Sequence, residues 1–278
     1  MKMSEFTPLG QRVEKNEYET KNRFAWFISI IVPFIVYSFL SVAFTLIIAY
    51  MVRNIPILSG VLENDALPLA IIIRVLSVGL AVLPLLFSFY LEHPILVHKK
   101  HNVTYYVIVV LAAGSLALGL NSLATVSGFA AGSQSFSDTA SNQFSLPIWA
   151  GIIVYGMVTP VTEEVVYRGL IYNRLRKRLN VILSLIFSSL LFGLSHGNYV
   201  QLVYGFCMGC VICLVYEKFG AFLYPVIFHC VANTVVYVCM SVVAIKSHIF
   251  SVFGAAIELL IAGACIIAIV GLNPGEKY

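Results

Sequence analysis

The sequence is dominated by apolar runs of the length that crosses a lipid bilayer. A spanning helix needs about 20 apolar residues, because the hydrocarbon layer is about 30 Å thick and each residue rises about 1.5 Å. Segments 24–52, 67–90, 103–124, 147–172, 181–196, 199–216, 221–244 and 251–272 meet or approach that length. Backbone polar groups in hydrocarbon must be satisfied within the segment itself. The predicted fold class is therefore all-α: a polytopic membrane protein with eight transmembrane helices in one bundle. Apolar residues make up 60% of the 278 and charged residues 11%, where soluble domains carry about 25% charged. The fifth run is short and the sixth follows at once, which predicts a tight pair near one surface.

The residues before the first run carry both signs of charge, and that run far exceeds the roughly 7 to 15 apolar residues of a signal peptide. The first helix is expected to be retained. Apart from Arg53 and Lys246, the loop lysines and arginines all fall on one side, which by the positive-inside rule places both termini in the cytoplasm. The expected setting is a bacterial plasma membrane. We divide the chain into a cytoplasmic N-terminal segment (1–23) and one transmembrane domain (24–278), with the chemically distinctive part at 147–244. The connection 125–145, rich in Ser, Gly and Ala, reads as a flexible spacer on the outer side. The net charge of +4 reflects the cytoplasmic loops and their contact with anionic lipid, and nothing in it suggests nucleic acid. The six cysteines all fall in predicted spans, which argues against a disulfide framework.

Within the fourth run stands TPVTEEVVYRG, Thr159 to Gly169. Each charge at the bilayer centre costs about 2.5 to 3.5 kcal/mol on insertion scales, so such residues mark function or pairing. Glu164 and Arg168, four apart, share a helix face, whereas Glu163 and Arg168 are about 140° apart. Arg168 is thus placed to neutralise Glu164, and Glu163 is left to point elsewhere. A buried carboxyl without such a partner holds a proton more readily, which suits a general base near neutral pH. His196 ends the fifth run and can share or relay that proton. His229 and Asn233, four apart in the seventh, can donate hydrogen bonds to an oxygen that gains charge during attack on a carbonyl. Counted from the cytoplasmic boundary, Glu163 lies about 13 Å deep, His229 about 12 Å, Asn233 about 18 Å and His196 about 22 Å. These depths overlap, so the groups can meet around an internal polar cavity. Pro160 cannot donate to the Gly156 carbonyl and predicts a kink one turn before the glutamates.

The stretches EEVVYR, FGLSH and HCVAN resemble the EExxxR, FxxxH and HxxxN motifs of the CAAX protease and bacteriocin-processing (CPBP, or Abi) intramembrane proteases, related to the prenyl-protein endopeptidases. The resemblance covers residues 159–234, in matching order. It implies an eight-helix bundle with a cytoplasm-facing cavity, in which Glu163 and His196 activate a water, His229 and Asn233 stabilise the oxyanion, and Glu164 and Arg168 support them. The expected activity is an intramembrane endopeptidase acting on a hydrophobic or lipid-anchored peptide.

Other readings of the same residues stay open at this point. A zinc site would use Glu163, His196 and His229, but the HExxH pair that usually anchors such a site is missing, and no cofactor is assigned. Buried Glu, Arg and His also serve proton-coupled transporters, although many of these show paired halves. A non-catalytic immunity or scaffold protein is the third class. Arg74 is read as a structural, snorkelling residue, and Cys207, Cys210 and Cys213, interleaved with Gly205 and Gly209, as small residues of a close helix contact. His93, His98 and His101, with Lys99 and Lys100, read as a headgroup-facing loop.

Overall fold

A computed structural model describes residues 23–56, 66–92, 94, 103–242 and 249–272. Residues 1–22 of the N-terminal segment, Lys246 and the cluster of His93, His98 and His101 with Lys99 and Lys100 lie outside the described residues, and Arg23 already belongs to the first helix. Helices account for the ordered structure, and no strand occurs among the described residues. In chain order they are α1 (Arg23–Asn54), α2 (Ala66–Leu91), α3 (Val103–Val126), α4 (Gln134–Gln143), α5 (Ile148–Arg176), α6 (Val181–Leu194), α7 (Tyr199–Phe219), α8 (Leu223–Ser241) and α9 (Val252–Gly271).

All eight apolar runs are helical, so the chain is an all-α polytopic membrane protein. Among the described residues, the count of full spans is lower than eight. Six helices (α1, α2, α3, α7, α8 and α9) are long and apolar enough to cross a membrane, and α5 makes a seventh if its bent junction with α4 is counted as one span. The fifth run forms only the 14-residue α6, about 21 Å long against a layer of about 30 Å. Its outer apolar residues, like Phe39, Phe87, Leu260 and Ile267 on other helices, are exposed, as lipid-facing side chains are.

The short α6 pairs with α7 through a tight turn. Gly197 takes φ 75°, and Asn198 caps α7 by accepting from the Gln201 N–H. A Cβ on Gly193 would lie 2.5 Å from the Leu202 carbonyl oxygen, and one on Gly209 would lie 2.9 Å from Ser189 Cβ. Small residues therefore let the two backbones touch, as the Gly205-x-x-x-Gly209 spacing predicted. All six cysteines are free, with Cys213 fully enclosed.

Two apolar cores flank the polar interior. One joins α1, α2, the second half of α5 and parts of α6 and α7 through Ile30, Leu85, Val166, Leu170 and Phe192. The other joins α3, α7, α8 and α9 through Val109, Leu116, Ile212, Phe228 and Ile269. Helix α7 serves both, with Cys213 and Tyr216 in the first and Met208 and Val215 in the second.

The connection 125–145 is not a plain spacer. Ser133 accepts from the Phe136 N–H and starts α4, which meets α5 at 110°. Its half-buried residues Phe136, Thr139, Ala140 and Gln143 recur at helical spacing. Arg74 donates to the Asn142 carbonyl at 3.1 Å and lies 5.8 Å from the Tyr155 ring. The cation thus sits at the C-terminal end of α4, where the helix dipole favours it, and its expected structural role has a specific partner.

Candidate active site

The site is built where α5 and α8 press together. Gly151 and Gly156 make that approach feasible, since a Cβ on either would collide with the Tyr237 ring or the Thr234 hydroxyl. Helix α5 itself is not uniformly α. Wide π-helical turns occupy Ile152–Val158 and Val165–Tyr172, with the α-helical Thr159–Glu164 between them. Such turns are rare and recur at functional sites. Pro160, where the sequence predicted a kink, lies just after the first π-helical stretch. In the first π stretch the Thr159 N–H bonds to the Val154 carbonyl. The next rung would join residue 160 to the Tyr155 carbonyl, but proline has no N–H to give. Asn233 Nδ2 takes that carbonyl instead, at 3.1 Å.

Glu164 and Arg168 are both fully enclosed and joined at 2.8 Å between Oε1 and Nη1, the pairing that their spacing predicted. Arg168 Nη2 also donates to the Gly209 carbonyl at 3.1 Å, tying α5 to α7. His229 lies between the two glutamates. Its Nδ1 is 2.7 Å from Glu164 Oε1, and its Nε2 is 3.6 Å from Glu163 Oε2. A carboxylate oxygen accepts, so Nδ1 carries the hydrogen of this contact and donates to Glu164. Nε2 then faces Glu163.

His196 belongs to the same group. Its Nδ1 donates to the Phe192 carbonyl at 2.9 Å, which turns the remaining nitrogen to other partners, and the ring lies within electrostatic range of Glu163. Phe192 is the hub. Its ring meets those of His196 and His229 edge-on, with centroids 5.1 and 5.4 Å away, and Arg168 stands over it at 4.9 Å. Sequence reading gave Phe192 no role of its own; its position one helical turn before His196 was the available signal. Tyr37 was missed entirely. From α1 it reaches the Thr162 hydroxyl at 3.0 Å, next to Glu163, and no local spacing announces a contact across 125 residues. Glu258, a further intramembrane carboxylate, accepts from Ser122 at 2.8 Å and ties α9 to α3, apart from this group.

Among the described residues, no three His, Cys, Asp or Glu side chains are placed to hold one metal ion. His229 and His196 each commit Nδ1 to a protein acceptor, which leaves Nε2 as the nitrogen of each ring that could reach a metal or a water. An apolar crevice of about 580 Å³ opens between α3 and α7, lined by residues such as Leu120, Phe129 and Val203, and none of the motif residues borders it.

Residues 145–235 match the model of the type II CAAX prenyl endopeptidase Rce1-like family. Over 98 residues the chain is 28% identical to "Putative membrane peptidase YdiL" of Bacillus subtilis (strain 168), a match that takes in 35% of this chain and 40% of that protein. No solved structure matches. The resemblance read from EEVVYR, FGLSH and HCVAN is thereby borne out: over residues 145–235, the stretch that holds all three, the chain is similar to the Rce1-like CAAX endopeptidases.

Proposed function

We propose that the protein is an intramembrane endopeptidase, which hydrolyses a peptide bond of a membrane-associated peptide with a water activated by Glu163 and His196. The observation that carries this reading is the convergence of Glu163, Glu164, Arg168, His196 and His229 around Phe192 inside an apolar bundle. Glu163 takes a proton from water as the water oxygen bonds to the carbonyl carbon. His196 helps to hold that water through its uncommitted nitrogen. The carbonyl oxygen gains charge, and His229 Nε2–H with the second amide hydrogen of Asn233 would stabilise it. When the C–N bond breaks, the proton held by Glu163 passes to the leaving nitrogen. Glu164 and Arg168 keep the His229 ring in place.

The substrate class follows from the surroundings. A hydrophobic or lipid-anchored tail can stay in the membrane beside the exposed apolar helix faces while its polar cleavage site enters the bundle from the cytoplasmic side. We place both termini in the cytoplasm and the protein in a bacterial plasma membrane.

The test uses the full chain, purified and returned to lipid vesicles, with quenched-fluorescent peptides that bear apolar tails. The parent protein should cleave at least one such peptide, and Glu163→Gln should abolish cleavage while its thermal unfolding midpoint stays near that of the parent. Cleavage by purified Glu163→Gln at the parental rate would overturn the reading. Proton-coupled uptake lost in the same variant, with no cleavage by the parent, would instead identify a carrier.

A further inference from the structure

Glu163 and Tyr167 stand four residues apart on α5, the spacing that brings Arg168 to Glu164. Tyr167 is fully buried. Its ring meets Phe192 edge-on at 5.1 Å, so it packs on the aromatic ring that His196 and His229 also flank. Its hydroxyl has no partner at hydrogen-bond distance; the Ser195 side chain is a polar neighbour at longer range, and the Glu163 carboxylate lies within electrostatic range. Buried hydroxyls are nearly always paired in native proteins, and an unpaired one calls for a specific explanation. The ring alone would fill the apolar space, so the oxygen needs a reason of its own.

Tyr37, the other phenol near Glu163, differs in this respect. Thr162 gives its single hydroxyl proton to the Thr159 carbonyl at 2.9 Å, so the Tyr37 O–H must donate to Thr162 Oγ1. That proton is committed. The Tyr167 O–H, by contrast, has no acceptor at hydrogen-bond distance.

Resting on the hydrolysis proposed above, we infer that Tyr167 is a further catalytic residue, donating its phenolic O–H to the water that Glu163 deprotonates. The water then gives one hydrogen to Glu163 and accepts at one lone pair from Tyr167, which leaves its other lone pair aimed at the carbonyl carbon. The phenol keeps its own proton throughout. The proton taken by Glu163 goes to the leaving nitrogen, as before, and the new C–O bond replaces the broken C–N bond. Fixing the direction of the attacking water is an orientation effect, of the kind in which small misplacements cost up to about a hundredfold in rate.

Tyr167→Phe removes one oxygen and keeps the ring against Phe192. With the full chain in vesicles and a quenched-fluorescent peptide that the parent cleaves, kcat should fall about ten- to a hundredfold, with KM and the thermal midpoint unchanged. Fluorotyrosine incorporated at position 167, which keeps the donor, should restore cleavage to near the parental rate with an altered pH profile. Parental kcat in Tyr167→Phe would overturn the inference and leave the protease reading standing. So would a fluorotyrosine protein that behaves like the phenylalanine one, since that outcome marks a packing role. A parent protein that cleaves none of the peptides removes both, which is a different result from either.

Discussion

Arg168 holds a charge that would otherwise be stranded in the bundle interior, and Glu164 is the partner that makes it tolerable. Removing one member of a buried ion pair costs about 3 to 5 kcal/mol, because the survivor is left uncompensated, whereas replacing both by apolar groups of similar size is often neutral. Glu164→Leu alone should therefore lower the thermal midpoint sharply, and Glu164→Leu with Arg168→Met should recover most of it. Cleavage should remain lost in the double variant, because His229 no longer has the acceptor that fixes its ring. Differential scanning and peptide cleavage on the same preparations would check both halves. The Glu164–Arg168 pair is legible in the sequence, since i,i+4 spacing fixes it whatever the rest of the fold does. The bridge made by His229 to both glutamates is not, because it joins residues 65 positions apart. That contact depends on how closely α8 lies on α5, and the glycines that permit it, Gly151 and Gly156, carry no polar signal.

At the scale of elements, the π-helical turn before Pro160 in α5 and the amide of Asn233 form one device. Pro160 leaves the Tyr155 carbonyl without its rung, and Asn233 Nδ2 fills the gap. A buried acceptor that loses its donor costs about 1 to 3 kcal/mol. Asn233→Leu should destabilise the protein by about that amount, and Pro160→Ala in the same background should recover part of it by restoring an N–H. The two changes would then be non-additive in a double-mutant cycle, which equilibrium unfolding in detergent can measure. The α6–α7 pair gives a second prediction. Gly193→Ala drives a Cβ against the Leu202 carbonyl, so it should separate the helices, cost about 1 to 3 kcal/mol as overpacking does, and shift His196 three residues on. Gly263→Ala, with nothing within 4 Å, should change neither stability nor cleavage. Apolar length made every main helix legible, but it overcounted the spans, because α6 is helical without being long. It missed α4, whose polar sequence carries its half-buried face on a single aromatic, Phe136.

Across the whole molecule, contacts sort the helix ends into two groups. Arg174, at the end of α5, donates to Glu92 beyond α2, to the Ser29 carbonyl of α1 and to the Ser88 hydroxyl. Lys177 joins Glu92, and Arg176 joins Glu217 at the end of α7. Lys218 reaches the Val270 carbonyl of α9. The opposite end holds α4, Arg74 on the Asn142 carbonyl and Tyr237 on the Gln143 and Leu146 carbonyls. The basic cluster therefore marks one end of the bundle, and the charge bias in the sequence already separated these ends without their contacts. Membrane insertion keeps such clusters in the cytoplasm, which would put α4 outside and the motif residues about 20 Å above the Arg176 end of α5. In a cysteine-free background expressed in bacteria, Ser137→Cys on α4 should react with a membrane-impermeant maleimide on intact cells. Lys177→Cys should react only after the cells are opened. The reverse pattern would turn the bundle over, and a substrate would then have to approach Glu163 from the outer side.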